Sequence, residues 1–146
     1  MATSNYSYGA EISGMSTPGD YTKEGGFYAY YEICGLRKNG ALLHLVRDPF
    51  VVFGKTWVGF DNQMSIFNKM GYIKYKNLGG AMIWSLPLDD FSGTQCGQGK
   101  YPLTKVIARK LRFYHETDES NINRPMFNGT ILIALFVTLV LAVHRK

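Results

Sequence analysis

Residues that build metal centres and reactive thiol sites are scarce in this chain, which has two cysteines and three histidines among 146 residues. Cys34 and Cys96 belong to no C-x-x-C pair, and no histidine lies near either of them. A zinc site therefore has no ligand set, and we expect neither a metal nor a cofactor. The cysteines are compatible with two buried thiols or with one disulfide, and a disulfide would imply an oxidising compartment.

The chain also lacks the motifs of nucleic-acid-binding proteins, although 16 Lys and Arg against 11 Asp and Glu give it a net charge of +5. The basic residues are scattered, apart from a group between positions 105 and 112. No RNP, zinc-finger or basic-zipper pattern accompanies them. We therefore predict no nucleic-acid partner.

No apolar stretch follows Met1, so the start of the sequence does not have the pattern of a signal peptide. Two N-x-S/T sequons, at Asn5 and Asn128, nevertheless favour glycosylation and the secretory route. Each sequon is weak evidence, because the triplet is common by chance.

The last part of the chain is one apolar run without charges, from 130 to 143, and His144-Arg145-Lys146 follows it. Extended back to Met126, it would form about 27 Å of helix, close to the roughly 30 Å of the hydrocarbon layer. The pattern predicts a transmembrane helix over 126–143, a juxtamembrane linker over 113–125 and a cytosolic C-terminus. The preceding domain is then expected on the extracellular face of the plasma membrane or of a secretory-pathway membrane. A cleaved lipid-anchor signal is the alternative.

Periodicity in the body of the chain predicts an α/β fold. Apolar residues at 27, 30, 31 and 34 indicate a helix ending at Gly35, and the runs 50–53 and 57–60 indicate a hairpin. A second helix follows Asp61 as its N-cap, and a third begins at Pro102. Between these helices, residues 81–86 are apolar on both faces, as in a strand of a parallel sheet. Among the other predicted elements there is no strand that could pair with this one in parallel.

Several separated segments are similar to the C-terminal part of animal chitinases and chitinase-like lectins of glycoside hydrolase family 18. The similar segments are T-K-E-G-G-F-Y-A-Y-Y-E-I-C at 22–34, W-V-G-F-D at 57–61, L-G-G-A-M-I-W-S-L-P-L-D-D-F-S-G at 78–93 and G-K-Y-P-L at 99–103. They follow one another in the family's order, and the similarity runs from about 14 to 111.

The resemblance implies the last part of a (β/α)8 barrel with part of its α+β insertion domain. Residues 1–13 would then be a flexible segment and 14–112 the chitinase-like domain. Within that domain, 14–60 would be the insertion remnant and 61–112 the last barrel units, with 80–86 as the eighth strand. The first and seventh barrel strands, its natural neighbours, would be absent. The family also pairs cysteines at the positions of Cys34 and Cys96, so the resemblance implies a disulfide there.

By the same resemblance, the sugar-binding candidates are Trp84, Met82, Glu24, Phe27 and, more weakly, Leu88. Trp84 would be the floor of the subsite for the reacting sugar, whereas an ordinary core tryptophan is the alternative from the residues alone. Met82 lies two residues earlier on the same strand face. Glu24 and Phe27 match groove-lining positions of the insertion. The family has an Asp where this chain has Pro87, and that change alters the loop beside the groove.

The family's catalytic motif, D-x-x-D-x-D-W-E, does not occur in this sequence. We therefore assign no catalytic residue and interpret Asp89 and Asp90 as turn carboxylates that accept backbone N–H bonds. The expected function is binding of chitin or N-acetylglucosamine oligosaccharides, without hydrolysis by this chain alone. A membrane-tethered lectin-like interaction protein and a truncated, non-functional product are the alternatives.

Overall fold

The computed structural model describes residues 11–45, 47–119, 135–138 and 141–144. Its helices are α1 (Tyr30–Lys38), α2 (Gln63–Tyr75) and α3 (Pro102–Glu119), with a short 3₁₀ helix at Leu86–Leu88. Its strands are β1 (Gly14–Met15), β2 (Leu42–His44), β3 (Phe50–Phe53), β4 (Thr56–Gly59), β5 (Ala81–Trp84), β6 (Leu135–Thr138) and β7 (Leu141–His144).

Among these described residues, the strands form two sheets. The larger sheet has the order β1-β7-β4-β3-β2, and its pairs are antiparallel. The smaller sheet pairs β5 with β6 in parallel, with Ala81 opposite Leu135 and Trp84 opposite Thr138. The core between sheets and helices contains the buried side chains of Ile33, Val51, Val58, Ile66, Met70 and Leu103.

The predicted hairpin is confirmed, since β3 and β4 pair around the turn at Gly54 and Lys55. The second helix is also present, but its N-cap is Asn62, whose side chain accepts the Ser65 N–H at 2.8 Å. Asp61 instead forms an ion pair with Lys69 at 2.7 Å. The helix ends in a Schellman motif with Asn77 in the left-handed region.

Helix α1 starts later and ends later than its apolar stripe predicts. Residues before Tyr30 form a turn, because Gly26 adopts a positive φ of 78° and the Glu32 side chain binds backbone N–H groups there. The helix continues through Gly35 to Lys38. It ends where Gly40, with φ of 90°, closes a Schellman motif in which the Ala41 N–H donates to the Leu36 carbonyl.

The fold class with a C-terminal transmembrane helix is wrong. Two parts of the predicted 126–143 span, β6 and the first residues of β7, are strands. An apolar run fits a buried strand as well as a helix, and periodicity alone does not distinguish them. Because β7 pairs with β4 and β6 pairs with β5, the backbone N–H and C=O groups on the facing strand edges have partners. This pairing favours an extended conformation of the apolar run over a helix. No helix among the described residues combines the length and apolar character that crossing a bilayer requires.

The fold is thus a small α/β structure in which β5 has a parallel partner from the same chain. The expectation that β5 lacks such a neighbour is therefore also wrong. The predicted flexible segment 1–13 lies mostly outside the described residues, as do both sequons, Asn5 and Asn128. Most of the predicted linker 113–125 is helical up to Glu119, as the end of α3.

Candidate functional site

Trp84 ends strand β5 and presents most of its surface to solvent, being 65% exposed. Met82 lies two residues earlier on the same face of the strand and is half-buried. The peptide bond between Trp84 and Ser85 is cis. The end of β5 therefore offers an indole ring to the outside, with a flexible thioether beside its base.

Glu24 and Phe27 lie in the turn that precedes α1, which we call the 21–29 turn. Glu24 is exposed and Phe27 is half-buried, and the Phe27 N–H donates to the Glu24 carbonyl at 3.3 Å. The Gly26 N–H also donates to the carbonyl of Ser16, at 3.1 Å. These bonds hold both predicted sugar-binding residues on one ordered turn.

The buried carboxylate of Glu32 organises the 21–29 turn. It accepts hydrogen bonds from the N–H groups of Tyr21 and Thr22 at 2.6 and 3.1 Å and from the N–H of Ala29 at 2.7 Å. The Ala29 contact is the side-chain half of a capping box at the start of α1. A carboxylate that binds several donors fixes the turn more rigidly than a neutral group would. The resemblance did not single out Glu32, and no cap signal was present in the sequence there, because the N-cap residue is Ala29, which has no capping side chain.

The residues that follow β5 form a second ordered loop. Leu88, half-buried, ends the 3₁₀ helix, and its N–H donates to the Ser85 carbonyl at 3.0 Å. Pro87 occupies an early position of that helix, where a missing N–H is tolerated. The departure from the family pattern at this position is therefore compatible with the local backbone.

Asp89 and Asp90 are both 1% exposed and accept backbone hydrogen bonds, as interpreted from the sequence. Asp89 accepts from the N–H and hydroxyl of Thr104 at 2.9 Å and so caps the first turn of α3. Asp90 accepts from the N–H groups of Gly93 and Cys96 at 2.9 and 2.8 Å.

The hydrogen bonds that Asp90 accepts lower the pKa of its carboxyl group. Burial alone raises the pKa of a carboxyl group, but the bonds from Cys96, Ser92 and Gly93 outweigh burial and hold the pKa of Asp90 below its ordinary value. A general acid needs a raised pKa to carry its proton at neutral pH. Asp90 is therefore poorly suited to protonating a leaving group.

Contacts of several kinds join α1 to the loop after β5. Cys34 and Cys96 form a disulfide with a Cα–Cα distance of 5.1 Å, as the resemblance implied. The Tyr30 hydroxyl donates to Gln98 at 3.0 Å, and the rings of Tyr31 and Phe91 meet edge to face at 5.7 Å. The segments that carry the two groups of predicted sugar-binding residues are thus tied together.

Exposed aromatic side chains extend this region beyond the predicted residues. Tyr21 is 71% exposed and packs edge to face against Tyr31, at 5.7 Å between ring centroids. Phe91 is 49% exposed and also packs edge to face against Tyr31. No motif in the sequence indicated that Tyr21 and Phe91 both contact Tyr31, because the two lie 70 residues apart along the chain.

The fold and this arrangement correspond to a family of carbohydrate-active proteins. The family model described as glycosyl hydrolases family 18 matches residues 2–89, more than half of the chain. The chain belongs to that family.

Its relatives include chitinases and chitinase-like proteins. The chain is 44% identical to human chitinase-3-like protein 2 over 114 residues, which are 76% of this chain and 29% of that protein. It is 40% identical to chitotriosidase-1 of Mus musculus over 82% of this chain and 25% of that protein.

Solved structures agree with these relationships. Human YKL-39, described as a pseudo-chitinase with retained chitooligosaccharide binding properties, superposes with a TM-score of 0.70 at 43% identity. That match covers 77% of this chain and 31% of YKL-39. An immunomodulatory active chitinase from Trichuris suis superposes with a TM-score of 0.64 at 35% identity, over 66% of this chain and 28% of its own. The chain thus spans about a quarter to a third of these relatives.

Proposed function

We propose that the chain forms part of a binding surface for N-acetylglucosamine oligosaccharides, with Trp84 as its aromatic platform. The observation that carries this proposal is the 65% exposure of Trp84 at the end of β5. An indole held at a strand end with its surface open to solvent is suited to packing against the apolar face of a pyranose ring. A tryptophan with a purely structural role would hide that surface.

The other predicted residues would complete this surface. Met82 supplies apolar contact beside the ring, and Leu88 lies at the rim, as the last residue of the 3₁₀ helix. Glu24 and Phe27, on the 21–29 turn, supply an acceptor for sugar hydroxyls and a further apolar contact. The description of YKL-39 as a chitooligosaccharide-binding protein supports this ligand class.

We further propose that this chain alone binds the sugar without hydrolysing it. The sequence has no D-x-x-D-x-D-W-E motif, and the adjacent carboxylates of Asp89 and Asp90 are occupied by backbone donors. A positioned general acid contributes about 10²–10⁴-fold to such a reaction. Purified full chain should therefore release no fluorophore above background from a fluorogenic chitobioside, and turnover lost in Asp89→Asn or Asp90→Asn would contradict the proposal.

Titration of the full chain with chitotetraose, GlcNAc4, tests the binding surface. Trp84→Ala should weaken the affinity about fivefold or more, because a stacked aromatic ring contributes roughly 1 kcal/mol beyond its buried area. Trp57→Phe is the matched control, since Trp57 lies in β4 and packs on Phe50 at 5.3 Å.

The same control variant provides a second readout. Trp57→Phe leaves Trp84 as the remaining tryptophan of the chain, which has two. Its fluorescence emission should shift to the blue on adding GlcNAc4, because the sugar removes water from the ring. Unchanged affinity in Trp84→Ala together with an unshifted spectrum would overturn the role of Trp84.

We also propose that the protein matures in an oxidising compartment. The Cys34–Cys96 disulfide supports this, because such bonds persist mainly in secreted and luminal proteins. In cells, the chain should migrate faster on non-reducing than on reducing gels, and glycosidase treatment should change its mobility if Asn5 or Asn128 is glycosylated. A reduced, unmodified chain would contradict the assignment.

A further inference from the structure

A shallow, open pocket of about 360 Å³ lies directly beside the disulfide, and Cys34 and Cys96 both line it. Two cations, Arg37 and Lys38, form part of the same wall. Neither cation belongs to the proposed sugar surface. The disulfide is therefore open to a small molecule at a place where positive charge is concentrated.

The helix spacing explains why the cations collect there. Arg37 and Lys38 lie three and four positions after Cys34 on α1, so they share its side of the helix. The helix C-terminus carries a partial negative charge of about half a unit, which the two full charges exceed. Burial raises the pKa of the nearby Tyr30, and the charge of Arg37 acts in the opposite direction.

The two sulfur atoms have different surroundings. Cys34 is 6% exposed, whereas Cys96 is half-buried and so more open to attack. The Cys96 N–H also donates to the carboxylate of Asp90 at 2.8 Å, which places negative charge near that residue. Arg37 and Lys38, which line the same pocket as Cys34, would stabilise a thiolate released there.

We propose that Cys96 is a site of S-thiolation by low-molecular-weight thiols that carry carboxylates. The thiolate of the incoming molecule attacks Sγ of Cys96, the Cys34–Cys96 bond breaks, and Cys34 leaves as a thiolate. The products are one mixed disulfide on Cys96 and one thiolate on Cys34, so the exchange is balanced without a further oxidant or reductant. Arg37 and Lys38 attract the carboxylates of the incoming thiol and stabilise the leaving thiolate.

The exchange would open one of the contacts that join α1 to the loop after β5. The hydrogen bond between Tyr30 and Gln98 and the ring contact between Tyr31 and Phe91 do not involve sulfur and would persist. The hydrogen bonds that the backbone N–H groups of Gly93 and Cys96 donate to Asp90 would still hold the loop around Cys96. The modified chain is therefore expected to keep these contacts, with a lower free energy of unfolding because the disulfide no longer restricts the unfolded chain. The chemistry does not depend on the proposed sugar binding.

The test compares thiols of different charge on the oxidised full chain. Glutathione, which carries two carboxylates, and the neutral 2-mercaptoethanol are each added for a set time, and excess iodoacetamide then quenches the reaction and alkylates the released thiolate. Mass spectrometry of tryptic peptides should locate glutathione on Cys96 and the alkyl group on Cys34. The reverse placement would overturn the proposal.

Charge variants test the role of the cations. The double variant Arg37→Gln/Lys38→Gln should lower the rate with glutathione by about three- to tenfold, while the rate with 2-mercaptoethanol changes less than about twofold. Added salt at about 0.5 M should remove most of the preference for glutathione. The matched control is Lys105→Gln/Arg109→Gln, which removes two exposed cations from α3. An unchanged glutathione rate in the first variant, or an equal loss in the control, would overturn the assignment.

Discussion

Asp89 and Asp90 are adjacent and equally buried, yet their carboxylates stabilise different segments. Asp89 caps α3 through Thr104, and Asp90 holds the loop that contains Cys96. A carboxylate satisfied by several N–H donors contributes to stability only while it is ionised. At the scale of single residues, these two side chains are therefore structural, and the carboxyl group of Asp90 contributes to the pH dependence of folding.

The stability contributed by Asp90 should be lost in acid. Its pKa in the folded chain lies below the unfolded value of about 3.9, so the contribution is complete above that value and declines as the pH falls through the folded-state pKa. Urea unfolding followed between pH 2 and 7 should show this decline, and Asp90→Asn should flatten it.

The same substitution should also lower the free energy of unfolding at pH 7 by about 3 kcal/mol, because the amide group cannot accept all of the buried donors. Asp48→Asn is the control, since Asp48 is exposed. A wild-type-like acid profile in Asp90→Asn would show that the carboxylate does not have this role.

At the scale of secondary-structure elements, the loops around the site are held by backbone geometry as much as by side chains. The loop after β5 contains Gly93 and Gly97, with φ angles of 76° and 70°. A Cβ atom on Gly93 would lie 2.5 Å from the Lys100 backbone nitrogen, whereas a Cβ on Gly97 would meet nothing within 4 Å. The loop therefore approaches itself closely at Gly93, and only hydrogen fits there.

Alanine substitutions at these two glycines distinguish the energetic cost of a positive φ from the cost of steric overlap. Gly97→Ala should cost about 1–2 kcal/mol, the penalty of the left-handed region alone. Gly93→Ala should cost clearly more, about 3 kcal/mol or above, because the backbone of Lys100 must also move. Urea unfolding of both variants measures the difference, and equal costs would mean that the close approach to Lys100 is absent.

At the scale of the whole molecule, the disulfide links α1, which follows the 21–29 turn, to the loop after β5 across 62 positions of the chain. Closing a loop of that length restricts the unfolded ensemble by about 4 kcal/mol in the chain-entropy model. A small chain gains proportionally more from such a constraint, because its core buries a limited apolar area.

Removing the bond should therefore be a large perturbation. Cys34→Ala/Cys96→Ala is expected to lower the free energy of unfolding by about 4 kcal/mol, measured with urea at pH 7. Dithiothreitol should destabilise the wild type by a similar amount and leave the double variant unchanged. If the reductant affects both proteins alike, its effect does not come from this disulfide.

Short-range patterns in the sequence were sufficient for several elements. The run 50–53, the turn at Gly54 and the run 57–60 predicted the β3–β4 hairpin, since the β propensity of aromatic and β-branched residues and turn chemistry act over a few residues. Pro102 predicted the first position of α3, and the motifs at 78–93 and 99–103 predicted the family. The pairing of Cys34 with Cys96 followed from the resemblance, whereas composition left it open.

Only the tertiary structure decided how distant segments meet. The start of α1 depends on Glu32 binding the N–H groups of Tyr21 and Ala29, and this contact overrides the apolar stripe. The apolar run near the C-terminus was compatible with a helix or a strand. It forms the strands β6 and β7 because the backbone N–H and C=O groups on the edges of β5 and β4 need hydrogen-bond partners. Local propensity acts along the chain, but edge pairing, the pocket beside the disulfide and the exposure of Trp84 depend on which segments pack together.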